Sequence, residues 1–294
     1  LMQLMPAAQG DMGVGEDAFA RHQRGEPLDP DRYLWSQPCH RPTRAVVRAL
    51  GATGPALTMS TACTSGATAI GVGLDLLRSG RARRVVAFGT DALCQLTTSG
   101  FAALGLHSAA GCRPFDVDRD GMCLGEGAAA LLLELGTGDR PPLAEVLGFG
   151  TAVDAHHLST PDPEARGAIA AMHAALTEAE IAASELGYVN AHGTGTVLND
   201  AMEALALGRV VPGVPVSSTK GATGHTLGAA GALEAVFTVL ALRDGALPPN
   251  VGVRSPVPGL DLVRHTRRAP LSRAMSVNFA FGGHNTALVF GRPA

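Results

Sequence analysis

The sequence predicts an α/β fold built on a largely parallel, covered sheet. In the second half, short apolar runs bounded by Gly and Pro alternate with longer stretches of helical periodicity. The first half shows the same alternation around a cysteine that stands between a strand pattern and a helix pattern. With 294 residues and 46% hydrophobic content, the chain can bury a large core in one large or two modest domains.

Each element has its own signal. Residues 43–50 give a short helix pattern, and the turn 51–55 leads into a strand over 56–59. From Gly66 to Arg78, Ala69, Ile70, Val72, Leu74, Leu76 and Leu77 fit a buried helix that Gly80 stops. Residues 84–89 read as a buried strand, and the turn-rich segment 105–123 as an ordered loop. The apolar run 128–135 reads as a central strand, although so many Ala and Leu residues suit a helix equally well. Residues 136–142 are the best linker candidate, and 143–153 resume as strand. There follow a helix over 163–179, a strand over 188–191, a helix over 199–207, a strand over 214–217 and a long helix over 224–243. Two strands, 275–278 and 286–290, close the chain.

Composition removes several function classes. A net charge of −3 offers no basic footprint for nucleic acid. No apolar run is long enough to span a membrane, and no secretory leader is visible. Cys39, Cys63, Cys94, Cys112 and Cys123 are odd in number and in no metal-ligand spacing, which suits a reducing cytoplasm and predicts neither a metal nor a cofactor. Lys220 is the only lysine.

Ligands in such sheets bind at the carboxyl ends of strands, and Cys63, His192, Lys220 and Phe281 each follow a predicted strand. One site could hold them all. Cys63 sits at a helix start, where free N–H groups and the macrodipole favour an anion and can lower a thiol pKa. It reads as a nucleophile or as a small buried thiol. His192, in His192-Gly193-Thr194-Gly195-Thr196, fits catalysis, a phosphate-cradling turn or an ordinary loop. His225 is expected in the first turn of the long helix, where the dipole would lower its pKa. It also reads as a helix-start residue of no consequence. The P-loop pattern is absent, because Lys220 precedes the Gly-rich turn.

Taken together these stretches have a family likeness. Thr61-Ala62-Cys63-Thr64-Ser65-Gly66, Arg113-Pro114-Phe115-Asp116, Arg119-Asp120-Gly121, His192 to Thr196, Lys220 to His225 with Gly228-Ala229-Ala230-Gly231, and Asn278-Phe279-Ala280-Phe281-Gly282-Gly283 resemble the β-ketoacyl synthases. Those are the condensing enzymes of fatty-acid and polyketide assembly. The resemblance runs in order from about Arg44 to the C-terminus. It implies the thiolase-like fold, two related α/β halves in five layers, divided here as 1–138 with the nucleophile and 139–294 with both histidines. Family members carry a further segment before the point where this sequence begins, at Leu1 and not Met, so the first half is expected to lack its opening portion and to expose strand edges and apolar surface.

The resemblance also implies roles. Cys63 would take an acyl group from an acyl carrier protein. His192 and His225 would assist decarboxylation of a malonyl thioester by donating hydrogen bonds to its oxygen. The backbone N–H groups of Cys63 and Phe281 would form an oxyanion hole, Lys220 and Glu234 would organise the histidines, and Phe281 would be a mobile gate flexed at Gly282-Gly283. The implied partners are acyl carrier protein and a dimer mate, either a second copy or a related subunit. Ala280 and His284 stand where many members carry Gly and Thr. A thiolase is disfavoured because no Cys follows Cys123. A cysteine hydrolase would not need two histidines and a lysine in these settings. A non-catalytic partner subunit of the chain-length-factor kind typically lacks the nucleophile, which is present here as Cys63.

Overall fold

The computed structural model describes residues 2–6, 11–136 and 140–293. Strands β1 (Met2–Pro6), β2 (Ala56–Met59), β3 (Arg84–Asp91) and β4 (Gly127–Glu134) form one sheet in the order β2-β1-β3-β4. The first three are mutually parallel and β4 runs antiparallel to β3. The rest of the chain adds β5 (Glu145–Val153), β6 (Tyr188–Asn190), β7 (Pro215–Ser217), β8 (Ala246–Leu247), β9 (Asp261–Leu262), β10 (Arg267–Arg268), β11 (Arg273–Phe279) and β12 (His284–Gly291). β8 and β10 pair as a small ribbon, and the other six make a second sheet in the order β5-β12-β11-β6-β7-β9. That sheet is parallel from β11 through β9 and antiparallel at β12, so both sheets are mixed.

Helices α1 (Met12–Gln23), α2 (Pro30–Ser36), α3 (Arg41–Leu50), α4 (Ser65–Arg78), α5 (Gln95–Ala103), α6 (Arg166–Glu178), α7 (Val197–Val210), α8 (Lys220–Thr223) and α9 (Ala230–Asp244) complete the elements named here. The layers read α3, first sheet, α4 with α9, second sheet, α6 with α7. Two cores correspond to them. One lies between the sheets, where Ala67, Ile70 and Leu77 meet Val85, Leu242 and Phe290. The other lies between the second sheet and the outer helices, with Met172, Met202 and Leu207 against Val189 and Val289. β11 and β12 are covered on both faces and are buried along nearly their whole length, the polar Ser276, Asn278, Asn285 and Thr286 included.

The middle layer depends on small residues. A Cβ on Gly66 would stand 2.4 Å from the backbone nitrogen of Ala232, and one on Gly231 would stand 2.5 Å from that of Ala67. α4 and α9 therefore cross nearly backbone to backbone, and any larger residue at either position would force them apart.

Three expectations change. β4 is a strand, but it lies at the edge of its sheet and not in the centre, with Ala128, Ala130 and Leu132 on its exposed face. An uninterrupted apolar run looked doubly covered, yet only one of its faces is covered here. The long helix expected from Gly224 begins instead at Ala230: α8 ends at Gly224 with φ 68°, and His225 lies in an irregular stretch whose N–H donates to the Cys123 carbonyl at 2.7 Å. α6 begins at Arg166, three residues late, because Asp162 turns the chain first and accepts from the Arg166 N–H at 3.3 Å. The linker candidate falls partly outside the described residues. No helix among the described residues is long and apolar enough to cross a membrane.

Candidate active site

Cys63 occupies a sharp turn between β2 and α4. Ala62 holds φ 51°, a left-handed value that costs a non-Gly residue energy and persists only where the surroundings enforce it. Here they do: Ser65 Oγ donates to the Ala62 carbonyl at 2.6 Å and accepts from the Thr61 N–H at 2.8 Å. The turn aims the sulfur into a cavity of about 260 Å³ lined also by His192, His225, Phe279 and Phe281. These residues come from four separate stretches of the chain.

The histidines stand edge to face, ring centroids 5.2 Å apart. Lys220 lies behind His192, buried to 1% exposure, with Nζ 3.2 Å from Nδ1 and donating to the His192 carbonyl at 2.6 Å. An ammonium can only donate, so His192 Nδ1 accepts and the ring proton sits on Nε2. His225 Nδ1 accepts the Leu227 N–H at 3.3 Å, which puts its proton on Nε2 as well. Both rings thus keep Nε2–H as the free donor. Glu234 reaches from α9 to pair with Lys220, and its other oxygen accepts from Asn278 Nδ2 at 2.5 Å. Burial raises the Glu234 carboxyl above its ordinary range, while the Lys220 charge and hydrogen bond oppose that.

Burial drives both imidazoles well below the usual 6.5, and the Lys220 charge adds to it. The depression expected for His225 is present, but its cause is burial and Lys220, not a helix start. Cys63 departs from expectation in direction. Burial pushes its thiol up to about 12, the Lys220 charge offsets only part of this, and Asp91 and Glu234 add to the rise. The helix start is in place, with Thr64 as N-cap, yet a nearly dry cavity disfavours the thiolate more than the helix end favours it.

Two carboxylates that the sequence reading passed over shape the His192 loop. Glu203 accepts from the His192 and Gly193 N–H groups, both at 2.7 Å, and Asp200 accepts from those of Thr194 and Gly195, both at 3.1 Å. Asp200 also accepts the Phe115 N–H at 2.7 Å and so ties the ordered loop to this corner. Their signal was an acidic pair at i and i+3 in a largely apolar helix directly after His192 to Thr196. Burial, and then the neighbouring Asp200, push Glu203 up to about 8.

These shifts fix a pH dependence of stability. In the unfolded chain the two histidines protonate near 6.5, whereas folded they stay neutral, so their contribution is present above that pH and is lost as pH falls below it. Glu203 acts with the opposite sign: folded, it keeps its proton up to about 8, so its contribution is lost as pH rises from 4.5 towards that value. Between pH 6.5 and 5 the histidines and Glu203 oppose each other, and His225→Asn, which keeps an acceptor for the Leu227 N–H, is expected to lose less thermal midpoint on acidification than the wild type. An unchanged acid limb in the variant would contradict the buried neutral ring.

Phe281 follows β11, is 36% exposed and stacks on Phe101 of α5, with centroids 5.8 Å apart. Gly282 and Gly283 hold φ 85° and 75°, and a Cβ on Gly283 would press on Asp154 Cβ at 3.0 Å. The Cys63 and Phe281 backbone N–H groups donate to no other residue among those described. Among the described residues there is also no group of three or more His, Cys, Asp or Glu that could hold a metal.

Residues 21–137 match the N-terminal domain of beta-ketoacyl synthase, and residues 143–254 match the C-terminal domain. A 3-oxoacyl-[acyl-carrier-protein] synthase 2 from Rhizobium meliloti is 40% identical over 258 residues, covering 81% of this chain and 61% of that protein. The chain thus spans less than two thirds of the length of that relative. A chain of the ketosynthase and chain length factor complex from Xenorhabdus doucetiae superposes with a TM-score of 0.91 at 38% identity, covering 99% of this chain and 74% of that one. A beta-ketoacyl synthase from Burkholderia phymatum gives 0.91 at 32% identity, covering 100% and 76%. The layered α/β architecture is therefore the thiolase-like fold, and with both domain matches and the paired histidines behind Cys63 on one cavity, the chain belongs to the beta-ketoacyl synthase family.

Proposed function

We propose that the protein is a β-ketoacyl-acyl carrier protein synthase, in which 1–138 supplies the nucleophile and 139–294 the histidines. The observation that carries this reading is the shared cavity of Cys63, His192 and His225, with both rings held neutral and donating from Nε2. Cys63 Sγ attacks the carbonyl of an acyl thioester on the carrier, a new C–S bond forms, and the carrier thiol leaves with the cysteine proton. The exchange leaves no net charge in the site, which suits a cavity that disfavours the thiolate. The Cys63 and Phe281 N–H groups face the oxyanion of that step, and one such donor is worth roughly 3 kcal/mol in other enzymes.

A malonyl thioester then loses carbon dioxide. The electron pair left behind is held as an enolate whose oxygen accepts from His192 and His225 Nε2–H. Its carbon attacks the acyl-cysteine carbonyl, the C–C bond forms, and the Cys63 thiolate is expelled and takes a proton from solvent. Neutral imidazoles suit this role, because a charged ring would have to be formed and buried. Lys220 holds the His192 tautomer, and Glu234 holds Lys220. The proposed setting is the cytoplasm, and the proposed partners are acyl carrier protein and a dimer mate, a second copy or a related subunit. In the alternative reading, the chain is a non-catalytic partner of the chain-length-factor kind; the preserved constellation around Cys63 favours the enzyme.

The histidine roles separate in experiment. His192→Ala and His225→Ala are each expected to lower malonyl-thioester decarboxylation by about 100-fold, the scale of a lost oxyanion donor, while acylation of Cys63 falls much less. Release of radiolabelled carbon dioxide measures the first and intact mass the second. Normal decarboxylation in both variants would sink the assignment.

A further inference from the structure

The two N–H groups assigned to the oxyanion hole come from different sheets: Cys63 from the turn after β2, Phe281 from the loop after β11. What sets their separation is therefore not given by either element alone. His284 is the first residue of β12 and closes the gate loop, its carbonyl accepting the Ala280 N–H at 2.9 Å. Its ring reaches the nucleophile turn, where Nδ1 lies 3.0 Å from Oγ1 of Thr64, the residue after the nucleophile and the N-cap of α4. Thr64 Oγ1 also lies 2.7 Å from the Thr61 carbonyl and 2.9 Å from Thr61 Oγ1; with its one proton given to either, His284 Nδ1–H is the donor in this pair. Nε2 is then an acceptor, with Thr151 Oγ1 of β5 at 3.4 Å. Burial lowers the pKa of this ring, which favours its neutral form.

We propose that His284 is a positioning residue, which through Thr64 fixes the gate loop to the nucleophile turn and so sets the spacing of the Cys63 and Phe281 N–H groups. The inference deepens the condensing-enzyme reading and rests on it for the meaning of that spacing. Gly282 and Gly283, both at positive φ, separate Phe281 from His284, and a fixed His284 on the far side of the pair gives a motion of the gate a stationary base. Phe281 can then move while the loop base stays registered to Cys63.

Two reactions of Cys63 in the full-length protein separate this role from a general structural one. Acylation by an acyl-carrier thioester develops charge on a carbonyl oxygen, whereas alkylation by iodoacetamide forms a C–S bond with loss of iodide and develops none. In His284→Leu, acylation is expected to fall about 10- to 100-fold, as for sub-ångström to ångström misplacement of reacting groups, with alkylation unchanged. His284→Asn, which returns an N–H near the Nδ1 position, is expected to recover most of the loss, and Thr64→Val to reproduce it without adding to it. Parallel losses in both reactions, or no loss of acylation, would overturn the proposal. Hydrogen–deuterium exchange judges the link without any activity: amides of residues 281–284 are expected to exchange faster in His284→Leu. Should the wild type not be acylated, the condensing-enzyme reading fails, while unchanged exchange in the variant is what overturns the His284 link.

Discussion

Cys63→Ala is expected to abolish condensation, lowering product formation roughly 10⁴-fold or more, as deletion of a covalent nucleophile does elsewhere. The expectation rests on position. Cys63 is the residue that the strained Ala62 turn presents to the cavity, and the other four cysteines are not among its lining residues. The fold should tolerate the change, because Cys63 borders a cavity and the substitution removes a single sulfur atom, so circular dichroism and thermal midpoint should be close to the wild type. Decarboxylation of malonyl thioester should persist, since it needs the histidines and not the sulfur. Condensation that survived the substitution would remove Cys63 from the chemistry.

Lys220→Ala is expected to be the most damaging change to stability near the site. It strips the partner from Glu234, which is 3% exposed, and breaking one side of a buried pair costs about 3–5 kcal/mol. It also removes the donor at His192 Nδ1, so the Nε2–H tautomer is no longer enforced and decarboxylation should fall as well. A paired change, Lys220→Met with Glu234→Gln, leaves no unpaired charge and should recover much of the stability without recovering decarboxylation. Denaturant unfolding of the three proteins distinguishes the two effects. A single variant as stable as the wild type would show that Glu234 does not depend on Lys220.

The residues explain what sequence could and could not show. The strand-to-helix setting of Cys63 was legible because Gly80 closes an apolar helix and the strand before it is short. The break before α9 was not, since the Gly and Ala around His225 suit a helix. Gly224 leaves the helical region to let the backbone pair with Cys123 and Gly125, partners about a hundred residues away. The edge position of β4 was hidden for a similar reason: the order of strands in a sheet is a long-range fact, and a run of Ala and Leu carries no mark of which face is covered. The lowered thiol pKa was inferred from a local helix end, whereas burial, a property of the whole cavity, decides the direction. Asp200 and Glu203 were readable as a pair but not as supports, because their partners are backbone N–H groups without sequence identity.

Intact-protein mass spectrometry of the full-length protein, incubated with a panel of acyl-carrier thioesters, tests the central claim most directly. The account predicts a mass gain of one acyl group, localised to Cys63 by peptide mapping, discharged on addition of malonyl-carrier thioester and absent in Cys63→Ala. A folded protein that gained no acyl mass from any member of the panel would contradict it and favour the non-catalytic partner.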